Sequence, residues 1–185
     1  MSYFLVSSSI SDLPTEDLTN CLNELMTLTM FVEICAILDD YNMLQKVSRR
    51  LRQLDTPQQN HFVFDKLIDS VAKIEIPSKL RQHLYKLIMA RLMKSEQRKP
   101  VSKKVSELLM KKQENRCAIC GATMDNLKIC VDHIVPFAYV GDELQNNYQL
   151  LCESCNSEKN KNIFYQTRGV LRSLVIKKER PELIF

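Results

Sequence analysis

The chain has 185 residues, of which 45% are hydrophobic and 26% charged, values typical of a globular protein with a substantial core. Only 3 glycines argue against an all-β fold rich in turns and favour a largely helical one. No run of about 18 apolar residues occurs, so the sequence predicts no membrane span or membrane partner. The start MSYFLVSSSISD lacks the basic segment of a secretory signal, and we expect a reducing, cytoplasmic location.

The net charge is +4, and the basic excess is confined to the second half of the chain. Residues 1–96 carry 11 lysines and arginines against 12 acidic residues, whereas residues 97–185 carry 15 against 10. An excess of this kind is expected where a protein binds a polyanion. The second half is therefore the half that we expect to meet nucleic acid.

Four stretches in the first half have apolar residues at three- and four-residue steps, as amphipathic helices do. They run approximately over Glu16–Leu38, Met43–Leu54, Phe62–Ile74 and Leu80–Met93. Three of them begin near a proline, at Pro14, Pro57 and Pro77, where a first helical turn tolerates it. We predict an antiparallel bundle over residues 1–96, with its Met and Phe stripes in the core, that binds a partner, forms a homodimer or targets the protein.

The apolar periodicity stops at the polar run SEQRKP, and we predict a linker over residues 97–101. Ser102 is a suitable cap for a further helix. Seven basic and two acidic residues lie between Arg98 and Arg116. They form either a solvated helix face or a phosphate-binding surface, and both readings stay open. The candidates for phosphate contact are Lys111, Lys112 and Arg116.

Four of the seven cysteines form two Cys-x-x-Cys pairs, Cys117 with Cys120 and Cys152 with Cys155. Each pair can hold one metal from a tight turn, and two pairs complete the tetrahedral thiolate set that structural Zn²⁺ prefers. A closed set leaves no position for water, so this zinc is expected to hold the fold and to take no part in chemistry. The remaining three cysteines are interpreted as small buried hydrophobic residues.

The 31 residues between the two pairs contain a predicted strand over Leu127–Val131 that ends on the dipeptide Asp132-His133. A returning strand is predicted over Asn147–Leu151, and a short helix follows over Cys152–Lys161. This order of strand, strand and helix is expected to bring the Asp-His dipeptide close to Asn156.

Residues 103–163 resemble the HNH nucleases, the zinc-containing branch of the ββα-metal fold. The resemblance is carried by the order Cys-x-x-Cys, Asp-His-Ile-x-Pro, Asn-x-x-Leu-Leu-Cys, Cys-x-x-Cys-Asn and a later lysine. The spacing also agrees with the family pattern, since Asn147 follows His133 by 14 residues and Asn156 follows Asn147 by 9.

The resemblance implies a role for each motif residue. Asp132 and Asn156 would bind a catalytic Mg²⁺ or Mn²⁺, and His133 would be the general base. Asn147 would pin the loop that aims His133. Asn156 stands where many members carry a histidine, and its amide oxygen should favour hard cations over softer metals. Lys159 and Lys161 are either DNA-backbone contacts or solvated lysines.

The predicted fold is mainly α with a small α+β part: a helical bundle, then a zinc-stapled HNH domain over residues 102–166 and a basic tail over residues 167–185. The tail either packs on the bundle or lies along DNA. The resemblance implies a metal-dependent endonuclease that cuts DNA to leave 5′-phosphate and 3′-hydroxyl ends. The alternative is a zinc-stabilised DNA- or protein-binding module without cleavage. Phage packaging, restriction, anti-phage defence and mobile elements are all compatible settings, with a slight preference for the last two.

Overall fold

The computed structural model describes residues 15–54, 57–125 and 127–171. The predicted helix-start residues Pro14 and Thr56 and the tail over residues 172–185 lie outside these ranges. The helices and strands are α1 (Thr15–Asp39), α2 (Tyr41–Arg52), α3 (Pro57–Val71), α4 (Ser78–Met93), α5 (Lys103–Lys112), β1 (Ile129–His133), α6 (Phe137–Val140), β2 (Tyr148–Cys152) and α7 (Glu153–Lys159). Residues 165–171 are also helical.

Local capping explains where two of these helices begin. The Asp40 carboxylate accepts a hydrogen bond from the Met43 backbone N–H at 2.9 Å, which separates α2 from α1. The Ser102 hydroxyl likewise accepts from the Val105 N–H at the start of α5, as its cap position predicts. The mainly α fold class with one small sheet is confirmed, since 61% of the structure is helical.

Helix α1 is the centre of the first hydrophobic core. Its residues Phe31, Ile34 and Leu38 are almost completely buried. They belong to one cluster with buried residues of α3 and α4, and α2 closes the cluster with Val47. The four helices predicted from apolar periodicity therefore form and share a core.

Several apolar residues predicted for this core are in fact exposed. Leu22 is 52% exposed, Phe62 57% and Met93 61%, because each helix is covered by its neighbours on one side only. Ile74 is 65% exposed, since α3 ends at Val71 and leaves it in the following connection. The prediction that the apolar stripes face the core is thus wrong at Leu22 and Ile74, and the prediction for the Met and Phe stripes is wrong at Phe62 and Met93.

Helix α1 is also long and apolar enough to cross a membrane by length and composition, since an 18-residue window within Glu16–Asp39 has a mean hydropathy of 1.7. The prediction of no membrane span rested on the absence of a continuous apolar run, and the mean hydropathy identifies a candidate that this criterion misses because polar residues interrupt the run. In the fold, α1 packs against α2, α3 and α4. This packing is the arrangement of a core helix.

Strands β1 and β2 form an antiparallel ribbon in which Asp132 lies opposite Gln149 and His133 opposite Tyr148. Helix α7 packs on both strands. Because successive side chains of a strand point to opposite faces, Asp132 and His133 face opposite sides of the ribbon. A second core joins the ribbon to the cysteines and contains Met124, Leu150 and Leu151, all fully buried.

The segment between the two strands packs on the helical bundle. Val135 and Val140, together with Ile163 after α7, belong to the same buried cluster as the bundle residues. Gly141 has φ +60° and ψ −144°, and a Cβ added there would lie 3.1 Å from Lys94 Cγ. Only glycine fits this backbone conformation so close to the end of α4. The bundle therefore contributes to the core beneath the β1–β2 connection.

Candidate active site and metal centres

The four paired cysteines converge on one point. All four sulfur atoms lie within 4.8 Å of one another, and the Sγ atoms of Cys120 and Cys152 are 3.9 Å apart. Zn–S bonds of about 2.3 Å in a tetrahedron place neighbouring sulfurs about 3.8 Å apart, so the cluster has the right size for one zinc ion. Cys117, Cys152 and Cys155 are buried, and Cys120 is exposed.

Backbone turns and a hydroxyl group prepare the cysteines for a metal. In the first pair, Gly121 has φ +71° and its N–H donates to the Cys117 carbonyl, which closes the chelating turn. In the second pair, hydrogen bonding from the Ser154 hydroxyl and the Cys155 backbone N–H lowers the pKa of the Cys152 thiol to about 6. Metal binding requires thiolate, so the lowered pKa favours Cys152 as a ligand at neutral pH, whereas burial raises the pKa of Cys120 and of Cys155.

Asp132 and Asn156 line one polar groove of about 610 Å³. Its rim carries the cationic side chains of Lys94, Arg98 and Lys161 and the carboxylate of Glu96, which pairs with Lys94 at 2.8 Å. The Arg98 guanidinium lies 4.9 Å from the centre of the Phe137 ring, which also lines the groove. The groove therefore combines hard oxygen ligands at its wall with positive charge at its rim.

Lys159 is buried beneath this groove. It is 1% exposed, and its Nζ lies 2.8 Å from Asp132 Oδ2 and donates to the His133 carbonyl at 2.7 Å. A buried ammonium group paired with a carboxylate cannot at the same time reach a DNA backbone at the surface. The structure thus contradicts the prediction that Lys159 contacts DNA.

Asp132 has a second neighbour in Gln149, which lies directly across the ribbon. The Gln149 side-chain Nε2 donates to Asp132 Oδ2 at 3.2 Å. Its Oε1 is buried and accepts no hydrogen bond from the described residues. This oxygen is therefore a hydrogen-bond acceptor without a partner among the described residues, on the residue that faces Asp132.

His133 lies beside the groove without forming its wall. The residue is 5% exposed, and its Nε2 is 2.8 Å from Asp142 Oδ1. The rings of Phe137 and Tyr148 pack on it, with centroid distances of 5.6 and 4.7 Å. The ring of Phe137 thus packs on the imidazole and also lines the groove, which His133 itself does not line.

Asp142 is held as a buried carboxylate by three hydrogen bonds. Burial alone raises its pKa, but the Lys99 backbone N–H, the Tyr148 hydroxyl and His133 outweigh burial and hold the pKa below its ordinary value. The Lys99 N–H donates to Oδ2 at 2.7 Å, and the Tyr148 hydroxyl donates to Oδ1 at 2.7 Å. Asp142 is therefore an acceptor at neutral pH.

Asn147 ties the start of β2 to the segment that follows β1. Its Oδ1 accepts from the Val135 N–H at 2.7 Å, and its Nδ2 donates to the Val135 carbonyl at 2.8 Å. The side chain is buried, and both of its polar atoms are satisfied. These bonds hold the backbone two residues after His133.

A family model for HNH endonuclease matches residues 117–168. Over these residues the chain is similar to the HNH endonucleases. No curated protein and no solved structure matches the chain. The family match includes the four cysteines, Asp132, His133, Asn147 and Asn156, and it suggests that this HNH segment has nuclease activity. It covers less than half of the chain, and α1–α5 lie outside it.

The HNH family also implies a divalent cation, and the donors present fit one. Asp132 supplies a carboxylate, and no described residue hydrogen-bonds the half-buried Asn156 side chain. Carboxylate and amide oxygens beside a polar groove are the ligands that Mg²⁺ or Mn²⁺ takes in proteins. Lys159 holds one carboxylate oxygen of Asp132, so a cation would have to use the other or displace the ammonium group.

The remaining basic residues predicted to bind DNA have different positions relative to the groove. Lys161 is exposed and lies on its rim. Lys111 and Lys112, at the end of α5, and Arg116 are exposed but do not line the groove. Arg116 donates to the Gly121 carbonyl and so supports the first cysteine turn.

Two residues of the site were not anticipated from the sequence. Asp142 lies 9 residues after His133, in a segment without a recognisable motif, and the sequence carries no local signal of their contact. Gln149 could have been found, because pairing β1 with β2 in the observed register places it opposite Asp132.

Proposed function

We propose that the protein is a metal-dependent HNH endonuclease that hydrolyses phosphodiester bonds in DNA. The main observation that supports the proposal is the position of Asp132 and Asn156. They come from different elements of the HNH segment and line the same cation-rimmed groove. The family match supports it independently. A cytoplasmic location is part of the proposal, because reduced cysteines are needed to bind zinc.

In this proposal Asp132 and Asn156 hold Mg²⁺ or Mn²⁺ at the groove wall. The cation, when bound, supplies stabilisation of the negative charge that develops on the scissile phosphate and on its leaving oxygen. The rim cations Lys94, Arg98 and Lys161 contact phosphates without reading sequence. These contacts orient the DNA backbone along the groove.

His133 is the proposed general base. It takes a proton from the water molecule that attacks phosphorus, a step that contributes typically 10²–10⁴-fold to the rate. About 6% of its side chain remains exposed, and the attacking water must reach the imidazole through this small opening. Asn147 holds the backbone on the far side of His133 and so limits its movement.

The first test measures nicking of supercoiled plasmid by purified protein with Mg²⁺ or Mn²⁺. His133→Ala should lower the rate on the order of 100-fold or more, because the proton acceptor is lost. His83→Ala is the matched control, since this half-exposed histidine of α4 is far from Asp132 in sequence and does not line the groove. Equal nicking by wild type and His133→Ala would defeat the assignment.

A zinc-stabilised binding module without cleavage is the second candidate. It is favoured by the ammonium group of Lys159 at Asp132 and by the burial of His133. This candidate predicts that the protein retards DNA on a gel with no product across several metals. It also predicts that Asp132→Ala and Asn156→Ala leave the retardation unchanged.

We propose that the helical bundle binds a partner protein, forms a homodimer or targets the protein. Its role is then distinct from that of the HNH segment. The proposed boundaries remain residues 1–96, a linker over 97–101, the HNH domain over 102–166 and the tail from 167. Sedimentation of the full chain with and without DNA would distinguish a dimer from a monomer. Double-strand cutting requires two such sites.

A further inference from the structure

We propose that Asp142 is a positioning residue that holds His133 as the tautomer with its proton on Nε2, which leaves Nδ1 as the proton acceptor. This inference rests on the proposed function, in which His133 is the general base. It adds a residue outside the recognised motif and names the reactive nitrogen.

Three donors converge on the two oxygens of Asp142. Oδ1 is 2.8 Å from His133 Nε2 and accepts from the Tyr148 hydroxyl, while Oδ2 accepts from the Lys99 backbone N–H. The side chain is only 3% exposed. A carboxylate with these contacts has no proton to donate and accepts at both oxygens.

The contact with His133 fixes which nitrogen carries the proton. Because Asp142 can only accept, the Nε2 of His133 must be the donor of their hydrogen bond. A neutral imidazole has one N–H and one lone pair, so the lone pair lies on Nδ1. The strand register also holds the ring, since Tyr148 lies opposite His133 and shares the same Asp142 oxygen.

The rest of the chain holds Asp142 in place from the bundle side. Lys99, which donates to Oδ2, belongs to the predicted linker after α4. The Arg91 guanidinium of α4 donates to the carbonyls of Ala138 and Tyr139, four and three residues before Asp142. The bundle and linker therefore set the position of the residue that orients the base.

The substitution Asp142→Asn reverses the proton arrangement without changing size. The Lys99 N–H still requires an acceptor, so the amide oxygen takes the Oδ2 position and the NH₂ group faces His133. An NH₂ group donates to Nε2, which forces the imidazole proton to Nδ1. The lone pair would then lie on Nε2, where the new amide group occupies it, and Nδ1 could no longer accept a proton.

The experiment first determines the tautomer of His133 and then measures the nicking activity. Nitrogen-15 NMR of the three imidazoles is recorded on the full chain in mildly alkaline buffer, and His133→Ala assigns the His133 signals. Wild type should show a protonated Nε2 and Asp142→Asn a protonated Nδ1. Single-turnover nicking with Mn²⁺ should fall on the order of 100-fold for Asp142→Asn, while affinity for DNA in metal-free buffer is unchanged.

Glu143→Gln is the matched control, because this neighbouring carboxylate pairs with Lys99 Nζ and does not contact His133. It should leave both the tautomer and the rate as in wild type. Asp142→Glu should restore part of the rate, because it keeps an acceptor near Nε2.

A protonated Nδ1 in wild type, or an unchanged His133 tautomer in Asp142→Asn, would overturn the inference. A normal nicking rate for Asp142→Asn, with His133→Ala inactive, would do the same. If wild type fails to nick DNA with every metal, the proposed endonuclease is wrong. The NMR result would then still decide whether Asp142 sets the tautomer.

Discussion

The β1–β2 ribbon is held from two sides by different physical means. On one side are the four cysteines and the small core around Met124, all within residues 117–155. On the other side, Val135 and Val140 join a large core centred on α1, far away in sequence. The cysteine side carries a cluster that suggests a structural zinc, whereas the bundle side depends on burial of apolar surface.

The two sides of the ribbon have different roles in the site. The cysteine side holds the strands and α7 together and so places Asp132 and Asn156 at one groove. The bundle side holds the connection between the strands, which carries Asp142 and thereby the orientation of His133. Cation binding and base orientation should therefore be separable by mutation.

The largest effect is expected from removing one zinc ligand. Structural zinc contributes about 10–16 kcal/mol of binding free energy in zinc-finger peptides, so Cys152→Ser should abolish zinc binding and unfold the ribbon. The bundle should keep its own core. Metal analysis and hydrogen exchange of β1 and α1 check both expectations.

Cys130→Ser is the control for that variant, because Cys130 is half-buried on β1 and stands outside the four-cysteine cluster. It should retain about as much zinc as wild type. Full zinc content in Cys152→Ser would contradict the assignment of the cluster.

The next effect concerns Lys159 beneath the groove. Removing one partner of a buried ion pair typically costs 3–5 kcal/mol, so Lys159→Met should lower the free energy of unfolding by about 3 kcal/mol. Added Mn²⁺ should recover part of this loss, because a cation replaces the missing ammonium group at Asp132. Urea unfolding with and without Mn²⁺ measures both.

Lys161→Met serves as its control, since Lys161 is exposed on the same groove and makes no buried pair. Its stability should match wild type within about 0.5 kcal/mol. If Lys159→Met were as stable as wild type, the Lys159–Asp132 pair would contribute nothing to the free energy of unfolding.

A smaller effect should connect the two sides of the ribbon. Val140→Ala removes two buried carbon atoms from the shared core and should cost about 2 kcal/mol. Hydrogen exchange should rise in α4 and in the segment before β2 together. Leu108→Ala, at a 59% exposed position of α5, is the control. Faster exchange confined to the bundle would mean that the two parts do not share a core.

The smallest effect is the pH dependence due to Asp142. The pKa of Asp142 is below the ordinary 3.8 in the folded protein. Its contribution to the free energy of unfolding is therefore complete above pH 3.8 and is lost as pH falls through the pKa of the folded state. The stability difference between wild type and Asp142→Asn, on the order of 1 kcal/mol, should therefore shrink only below pH 3.8. Zinc content is followed over the same pH range, and only conditions in which both chains retain zinc enter the comparison. A difference that shrinks well above pH 3.8 would contradict the lowered pKa.

Much of the architecture could be predicted because its signals are short-range. The spacing of apolar residues predicts α1 to α4, and Ser102 caps α5 through a bond to Val105, three residues away. The strand around Cys130 also forms where its alternation predicts. Prediction fails where an apolar residue has no neighbour to cover it, as at Phe62 and Leu22.

The candidate site was predictable only in part. The motif identifies the Asp-His dipeptide and Asn156, because ligand chemistry restricts which residue types can stand there. Lys159 looks like any basic surface residue in sequence, and only the packing of α7 on the ribbon shows that it is buried against Asp132. The role of Asp142 could not be predicted from the sequence for a similar reason, since its hydrogen-bond partners come from β1, β2 and the linker.

The sequence by itself determined the zinc cluster, the helical pattern and the HNH motif. These depend on residue type and on spacing within a few turns of chain. Only the tertiary structure decided that the bundle shares its core with the HNH segment, that Lys159 pairs with Asp132 and that Asp142 orients His133. Burial and hydrogen bonding between distant segments depend on how whole elements pack, and no local pattern in the chain encodes that arrangement.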